Sequence, residues 1–421
     1  MLVVGSGAAG SPAAIAAARH GAHVVLVERD GTLGGTSTGV LDTFYGFYTP
    51  GTAPQRVVDG IGGEVVRRLS ALDAAFERPN TYGAGTGITY NPDVLRTVWE
   101  RLCRDAGVTV MLHATVVDVA ADGRRCGPVL VSSGTELIAI EAAVVIDASG
   151  DAVVTHLAGG RSEGWSDVAD PQALTSTFTM APVDDARWGA VERAAFVELI
   201  AAAADDGYDL PRRDGSVHAT TVAHTQFVHM TKVAGFDPRD PAALSDAEID
   251  GREQVMEYAR FLRDRVPGFE QAAISWMSRR IGIRESRRVI GRYWLERDDV
   301  LSSRRFDDAI ARAGAPIERH GSGAGTDWEF LDEGRYYEIP YRCLLPADLD
   351  NVLVAGRCLS ASHDAHASAR NMAQCMAMGQ AAGTAAALAV DGKLDPGAVD
   401  PDTLVRALVT DGALLDVRAT R

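Results

Sequence analysis

Apolar and polar positions follow different spacings along this chain, and each spacing predicts one kind of element. Short uninterrupted apolar runs predict strands buried on both faces at 2–4, 24–27, 142–146 and 351–355. Helical spacing of the apolar positions predicts helices at 57–72, 92–106, 186–203, 246–264 and 401–408. Further strand-like runs occur at 108–119, 128–131, 175–180 and 227–233. The segment 371–390 contains no charged residue, which predicts a helix packed tightly inside the protein.

The first strand leads into a glycine motif whose chemistry is specific. Gly5, Gly7 and Gly10 follow it, an alanine-rich helix comes next, and the second strand ends on Glu28. Gly5 permits a tight turn, Gly7 lets the backbone approach a pyrophosphate, and Gly10 lets helix and strand pack closely. The helix N-terminus attracts phosphate, and a carboxylate at position 28 accepts hydrogen bonds from ribose hydroxyls. The motif therefore predicts a dinucleotide site.

Two later segments favour FAD over NAD as the dinucleotide. The segment 145–151 follows a buried strand and returns the chain to the cofactor. The strand within 352–357 is followed by a helix that begins near Asn371 and Met372. A helix N-terminus stabilises the negative charge that a reduced flavin carries at its N1–C2=O2 edge. No second GxGxxG motif is present, so we expect no dedicated nicotinamide domain.

Together these stretches resemble the FAD-dependent oxidoreductases that have a glutathione-reductase-type FAD domain. The nearest branches are the fumarate-reductase-like flavoproteins and the FAD subunit of heterodisulfide reductase. The resemblance covers nearly the whole chain and does not specify a substrate. The matching stretches are GSGAAG (5–10), LGGTSTG (33–39), VIDASGDA (145–152), IGIRESRRVIG (281–291), YEIPYRCLLP (337–346) and 351–387.

The fold class that we predict is α/β with a discontinuous cofactor domain. The parts that indicate nucleotide binding lie at both ends of the chain, whereas tryptophan, arginine and histidine concentrate in the middle. We predict a Rossmann-type FAD domain with a parallel sheet, helices on both faces and a small antiparallel insertion. A mixed α+β domain would hold the substrate and cap the flavin. The boundaries that we predict are 1–165 and 336–395 for the FAD domain, 166–335 for the substrate or cap domain, and 396–421 for a C-terminal helical tail.

The resemblance also implies which residues contact the cofactor. It places the phosphates on the 5–10 loop, the adenine against the backbone of 116–117 and the flavin ring near 370–374. Covalent attachment is not implied, although His363 stays open as a tether. The expected cofactor residues are Gly5, Gly7, Ala8, Ala9, Gly10, Glu28, Arg29, Gly35, Thr36, Ser37, Val117, Ser149, Gly150, Asp151, Arg357, Asn371 and Met372.

Four residues are candidates for the chemistry. His363 and His366 precede the long uncharged helix, and a histidine there can hold a proton near neutral pH; the alternative is that they brace the loop. Arg284 either grips a substrate carboxylate or belongs to an ion-paired brace between the domains. Tyr337 offers a phenol as an acid or orienting donor, or packs without a chemical role. We expect a structural role for three other histidines: His224, His229 and His320.

Composition narrows the range of partners. A net charge of −16 without any basic run argues against nucleic acids and anionic membranes. The five cysteines are scattered without CxxC spacing, which indicates a reducing compartment and predicts no metal site. We see no signal peptide and expect a cytoplasmic protein with no membrane span. A homo-oligomer and a redox partner protein stay open.

The function that the sequence favours is an FAD-dependent oxidoreductase. It would transfer a hydride between flavin and a small organic substrate, at a C–O, C–N or C–C bond. The alternatives are an FAD-binding electron-transfer subunit that works with a partner protein, and a flavin-dependent oxidase or monooxygenase. The substrate and the direction of the reaction stay open.

Overall fold

The computed structural model of this chain describes residues 1–79 and 85–416. Its helices are α1 Gly10–Arg19, α2 Thr36–Gly39, α3 Ile61–Ser70, α4 Pro92–Asp105, α5 Val153–Leu157, α6 Asp185–Gly189, α7 Arg193–Asp205, α8 Pro241–Arg265, α9 Arg297–Leu301, α10 His363–Ala369, α11 Met372–Gly392 and α12 Pro401–Thr410. Its strands are β1 Leu2–Val4, β2 Val25–Val27, β3 Thr43–Phe44, β4 Ala75–Pro79, β5 Thr86–Tyr90, β6 Thr109–Met111, β7 Ala114–Asp122, β8 Arg125–Ser133, β9 Glu136–Ile140, β10 Val145–Asp147, β11 Ser162–Gly164, β12 Phe178–Ala181, β13 Ser216–Ala219, β14 Gln226–His229, β15 Ala273–Met277, β16 Arg287–Val289, β17 Ala309–Ala313, β18 Ile317–Arg319, β19 Asp327–Glu329, β20 Tyr337–Pro340 and β21 Val352–Val354.

A parallel sheet of five short strands holds the two ends of the chain together. Its strand order is β21-β10-β1-β2-β6. Leu2 pairs with both Val145 and Val25, and Val145 pairs in turn with Val352. Because the strands are parallel, the loops that follow β1, β10 and β21 emerge at the same edge of the sheet. This edge is where the glycine motif and the two later segments converge.

The two faces of this sheet are covered by different layers, as strand alternation requires. Val3 and Ile146 face a core that includes α1 and α11. Val4 and Val145 face a second core, which is shared with the antiparallel sheet β7-β8-β9 and the short helix α5. The α/β class and the antiparallel insertion are as predicted. Helices cover the two faces unequally, since among the described residues α5 is the one helix that shares the second core with the antiparallel sheet.

Helix α11 packs against α1 with almost no space between the two backbones. A Cβ atom at Gly379 would lie 2.0 Å from the carbonyl oxygen of Ala9, and one at Gly383 would lie 2.1 Å from that of Ala13. Small residues at these positions let the two helices approach closely. The lack of charge in α11 therefore reflects burial between protein layers. No helix within 1–79 and 85–416 is long and apolar enough to cross a membrane.

Three helices begin at an Asx-Pro pair that caps their first turn. The side chain of Asn91 accepts hydrogen bonds from the backbone N–H groups of Asp93 and Val94 before α4. Asp240 and Asp400 cap α8 and α12 in the same way. The cap at Asp240 places the start of α8 five residues before the predicted helix at 246–264, because Leu244 is the one large apolar residue of 241–245 and shows no periodicity by itself. The predicted helix at 186–203 is interrupted at 190–192.

The middle of the chain builds a four-stranded antiparallel sheet in the order β13-β14-β12-β15. Together with α7 and α8 it has its own core, which includes Phe178, Phe196 and Phe261. Residues from Leu295 to Ile339, most of which were assigned to the middle domain, contribute instead to the core around the parallel sheet. The domain boundaries at 165 and 336 stay predictions, and the last five residues of the predicted tail lie outside the described residues.

Replacing Gly383 by alanine should destabilise the protein by about 1–3 kcal/mol, because α1 and α11 must separate to admit one methyl group. A matched control is Gly392→Ala at the end of the same helix, where the added Cβ meets only the Leu394 side chain at 3.3 Å. That control should be neutral or slightly stabilising because alanine favours helix. Urea unfolding of both variants measures the difference, and a Gly383→Ala protein as stable as the unmodified protein would contradict the packing argument.

Candidate active site

A cavity opens at the carboxyl edge of the parallel sheet, and we call it the edge cavity. Its wall is formed by the loops after β1, β10 and β21, the end of β2, the loop before α2 and the start of α11. Strand order alone brings these segments together, because each follows the carboxyl end of a neighbouring parallel strand. The segments are separated by more than 300 residues in the chain.

The three motif glycines serve different purposes at the edge cavity. Gly5 has φ +88°, and a Cβ there would lie 2.6 Å from the carbonyl oxygen of Ala148. A Cβ at Gly10 would lie 1.7 Å from the carbonyl oxygen of Gly5. A Cβ at Gly7 would meet no atom within 4 Å. The protein's own packing therefore requires glycine at positions 5 and 10, whereas Gly7 leaves room beside the cavity for a bound group.

Glu28 directly follows β2, and hydrogen bonds to both of its carboxylate oxygens fix its orientation. One oxygen accepts hydrogen bonds from the backbone N–H of Ser6 at 2.8 Å and from the Ser6 hydroxyl at 2.6 Å. The other accepts from the backbone N–H of Asp30 at 2.8 Å. A carboxylate has about four acceptor positions, so it can accept a further hydrogen bond from a ligand hydroxyl. Glu28 is 4% exposed and contributes to the cavity wall.

Positive charge surrounds the part of the edge cavity near α1. Arg29, Arg280 and Arg357 contribute to its wall. Arg357 forms an ion pair with Asp151 at 3.0 Å. Burial favours the neutral form of Asp151, but the arginines outweigh it and lower the pKa of that carboxyl. Arginines beside an open helix N-terminus suit a diphosphate.

The start of α11 closes the far end of the edge cavity. Asn371, its N-cap residue, donates its side-chain amide back to the carbonyl of Ser368 at 2.9 Å and does not cap the first turn. Asn371 and Met372 both contribute to the cavity wall. The positive end of this long helix is thus directed at the edge cavity. With space beside Gly7, an oriented Glu28 and this helix end, the residues present fit a dinucleotide with an electron-accepting ring.

A second cavity, which we call the side cavity, adjoins the first. The two cavities share six wall residues: Thr36, Leu41, Tyr45, Ile283, Arg370 and Asn371. Most of the remaining wall comes from the middle of the chain, including β13, β14 and the 282–284 segment. The wall residues that the side cavity does not share are Val40, Asp42, Thr43, Gly46, Tyr48, Thr175, Arg212, Ser216, His218, Phe227, His229, Gly282, Arg284, Ala315, Pro316, Glu318, His320 and Trp328.

Strand register explains why two histidines face this cavity. His218 pairs with Phe227, and Ser216 pairs with His229, across β13 and β14. Directly opposite residues, and residues two apart on one strand, point to the same face of a sheet. All four side chains therefore lie on one face, and all four contribute to the cavity wall.

His218 forms a buried pair with Asp42. Its Nε2 lies 3.0 Å from one carboxylate oxygen of Asp42 and 3.3 Å from the other. An ionised carboxylate only accepts hydrogen bonds, so Nε2 carries the proton and Nδ1 is left with a lone pair. Within the part of the chain that the structure describes, Nδ1 has no hydrogen-bond partner. The arrangement holds the ring in one tautomer with a free basic nitrogen.

Arg284 and Arg212 both approach His229. Arg284 donates one Nη2–H to Nε2 of His229 at 3.0 Å and one Nη1–H to the carbonyl of Ala173 at 2.6 Å. Arg212 donates to the carbonyl of His229 at 3.4 Å and to the carboxylate of Asp214 at 2.8 Å. Because an arginine cannot accept, Nε2 of His229 is unprotonated. Burial, followed by the charges of Arg212 and Arg284, lowers the pKa of His229 well below its usual range.

His320 and Arg370 complete the charged part of the wall. Nε2 of His320 donates to Glu318 at 2.8 Å. Burial, then Arg284, Arg212 and Arg370, hold the pKa of His320 well below its usual range. Arg370, at the junction of the two cavities, has buried Nε and Nη2 atoms that no described residue pairs.

Most of the predicted cofactor residues lie along the edge cavity. Gly10, Ser37, Val117 and Asp151 are outside its wall. Val117 is 45% exposed because strand alternation turns Val116 inward instead. The predicted residues in the wall are Gly5, Gly7, Ala8, Ala9, Glu28, Arg29, Gly35, Thr36, Ser149, Gly150, Arg357, Asn371 and Met372.

Of the four predicted chemical residues, only Arg284 contributes to either cavity wall. His363 pairs with the buried carboxylate of Glu285 at 2.9 Å. His366 is fully buried with Nε2 at 2.6 Å from the carbonyl of Arg357, and burial lowers its pKa to about 3. The hydroxyl of Tyr337 is fully buried against Ser368 at 2.8 Å. These contacts support structural roles for His363, His366 and Tyr337.

Sequence reasoning missed several wall residues of the side cavity. Asp42, Arg212 and His218 belong to no motif, and His229 and His320 were assigned structural roles. The alternation within 216–219 and 226–229 was the one available signal, since it places His218 and His229 on a single strand face. Nothing in the sequence pairs His218 with Asp42, which lies far from it in the chain.

Comparison with known proteins agrees with this geometry. The model of the family described as FAD dependent oxidoreductase matches residues 1–408. No curated protein shows significant sequence similarity to this chain. Among solved structures, p-nitrophenol 4-monooxygenase PnpA from Pseudomonas putida DLL-E4 is similar with a TM-score of 0.51 and 13% identity, over 97% of this chain and 82% of that one. BexE, from work on oxidation during BE-7585A biosynthesis, has a TM-score of 0.50 and 15% identity, over 98% of this chain and 69% of that one.

A third similar structure is a geranylgeranyl bacteriochlorophyll reductase-like protein from Thermoplasma acidophilum, with a TM-score of 0.47 and 12% identity. It covers 99% of this chain and 88% of that one. At these identities the structural likeness concerns the fold alone. The family match supports FAD as the cofactor, in agreement with the shape and charge of the edge cavity.

Replacing Gly7 by valine should abolish FAD binding without unfolding the protein, because the new side chain enters open space beside the edge cavity and meets no protein atom within 4 Å at its Cβ. Flavin absorbance of the purified protein and its thermal unfolding measure the two properties separately. Gly189→Ala is the matched control, since its Cβ also meets nothing within 4 Å and the residue lies outside the cavity wall. Full FAD occupancy in Gly7→Val would refute the assignment.

Stability should fall as the pH is lowered from about 7 to 5. The pKa of His366 is lowered from 6.5 to about 3, and those of His229 and His320 lie well below 6.5, so these histidines gain protons on unfolding in this range. Each contributes a slope of up to about 1.4 kcal/mol per pH unit. Urea unfolding across this range, with His366→Gln expected to reduce the slope, measures the effect. A flat profile would contradict neutral buried histidines.

Proposed function

We propose that this chain, which belongs to the FAD-dependent oxidoreductase family, transfers a hydride between FAD and a small organic substrate held in the side cavity. The observation that carries the proposal is the wall shared by the two cavities at Arg370 and Asn371. This is where α11 begins, and its N-terminus favours the electron-accepting ring of the cofactor. A molecule in the side cavity would lie against that ring.

The division of labour between cofactor and protein follows from this arrangement. When bound, FAD supplies the two-electron chemistry, which no side chain can provide. The 5–10 loop, the Glu28 carboxylate and Arg357 would bind and orient the cofactor. The predicted cap region at 166–335 supplies β13 and β14 to the side cavity and would shield the reacting atoms from water.

We propose that His218 accepts or donates the proton that accompanies hydride transfer. Its Nε2–H bond to Asp42 at 3.0 Å holds the ring in place and leaves Nδ1 as the basic nitrogen. Histidine is the most common general acid or base in enzymes, and the Nδ1 lone pair of His218 can accept a proton. This role replaces the one predicted for His363 and His366, which lie outside both cavity walls.

Anaerobic reduction of the purified holoenzyme tests the proposal. We expect dithionite to bleach the flavin, NADPH to leave it oxidised, and air to reoxidise it slowly, because the chain has one dinucleotide motif and a cavity for a separate substrate. The Gly7→Val protein provides the flavin-free control for NADPH consumption.

The other outcomes of the same experiment identify the alternatives. Direct reduction by NADPH would contradict the proposal and indicate a monooxygenase, the activity that the name of PnpA states for that protein. Rapid reoxidation by air would indicate an oxidase. Reoxidation only by an added redox protein would indicate an electron-transfer subunit.

A further inference from the structure

We infer that the substrate of the side cavity is an organic acid with an apolar, planar body, whose carboxylate is held by Arg284 and Arg370. The inference rests on the proposed function and adds the chemical class of the substrate. It is carried by the arginines and the aromatic rings that line the same cavity wall.

Arginine is concentrated in this wall although the chain is acidic overall. Arg212, Arg284 and Arg370 all contribute to the side cavity of a protein with net charge −16. Arg284 is only 7% exposed, so its charge is largely withdrawn from water. A guanidinium in such a site matches a carboxylate through parallel hydrogen bonds. The position of these cations therefore favours an anionic ligand.

The acidic groups nearby already have partners. Asp42 accepts from His218 at 3.0 Å, Glu318 accepts from His320 at 2.8 Å, and Asp214 accepts from Arg212 at 2.8 Å. Arg370, in contrast, keeps buried Nε and Nη2 atoms that no residue of 1–79 or 85–416 pairs. Buried donors of this kind are costly unless a bound group satisfies them. Arg370 contributes to the walls of both cavities, where they meet.

His229 and His320 are neutral, so the positive charge beside them comes from the arginines. His229 and His320 have pKa values well below their usual range, first through burial and then through the neighbouring arginines. Lys232, behind the wall, has a pKa lowered to about 8 by burial and then by Arg212. The same arginines that lower these three pKa values would stabilise a negative charge placed among them.

Aromatic residues in the same wall indicate the body of the ligand. Phe227, Trp328 and Tyr45 contribute to the side cavity beside Ile283. Phe227 lies two residues from His229 on the same face of β14, about 7 Å along the strand. His229 in turn is hydrogen-bonded to Arg284 at 3.0 Å. A ligand with its carboxylate at Arg284 and a flat apolar group over Phe227 spans this distance.

Paired ligands that differ only in charge test the inference on the holoenzyme. We propose to titrate it with 3-phenylpropanoate and with 3-phenylpropanamide, and to follow the perturbation of flavin absorbance. The carboxylate should bind at least tenfold more tightly than the amide. Arg284→Met should remove that preference while FAD content is retained, because the residue lies outside the wall of the edge cavity.

The neighbouring residue Arg213 provides a matched control. It is exposed and belongs to neither cavity wall, so Arg213→Met removes the same charge and should leave both affinities unchanged. If Arg284→Met does not fold, Arg370→Met removes the second cation, and its flavin absorbance is measured first because Arg370 also contributes to the wall of the edge cavity. Equal binding of acid and amide, or a preference for the acid that survives both substitutions, would overturn the inference.

The outcome is separable from that of the reduction experiment. A holoenzyme that NADPH does not reduce, yet that prefers the amide, would refute the substrate class and leave the proposed function in place. A holoenzyme that NADPH reduces directly would refute the proposed reaction whichever ligand it prefers.

Discussion

The close contact between α1 and α11 is the constraint on which the rest of this structure depends. Glycines at 379 and 383 let α11 lie against the carbonyls of Ala9 and Ala13, at distances that no side chain permits. This contact joins the first and last parts of the fold and brings both helix N-termini to the carboxyl edge of the parallel sheet. One helix start then faces the phosphate-binding end of the edge cavity, and the other faces its far end.

Charge in the two cavities is arranged for different ligands. In the edge cavity, arginines and helix ends surround space kept open by Gly7, which suits a large dinucleotide. In the side cavity, arginines lie beside aromatic rings and beside His229 and His320, whose pKa values are lowered first by burial and then by the arginines, and this suits a small acid. The shared residues Arg370 and Asn371 join these environments. The edge cavity thus fits the cofactor of the family, and the side cavity adjoins it.

Sequence patterns alone predicted the features that are formed by contiguous residues. Four strands of the parallel sheet appeared as short apolar runs, and α11 as an uncharged segment, because burial on all sides leaves no polar periodicity. The fifth, β6, lies within the predicted run at 108–119, which continues into the antiparallel sheet. The glycine motif and Glu28 follow one another within a single βαβ unit, so their spacing alone indicates a dinucleotide site. The extra strands of the middle sheet and the start of α8 were less well placed, since their apolar pattern is weak.

Tertiary structure decided which side chains meet in the side cavity. His218 and Asp42 form a pair 3.0 Å apart although 176 positions separate them, and such pairing depends on how two sheets are packed. His366 and Tyr337 are fully buried and contribute to neither cavity wall. A segment beside a cofactor site can turn a side chain away from that site, and the sequence does not show which way it turns. The sequence by itself determined the family, the cofactor and the parallel sheet, which rest on contiguous motifs. Only the fold brought together the residues of the side cavity wall, because they come from segments that are distant in the chain.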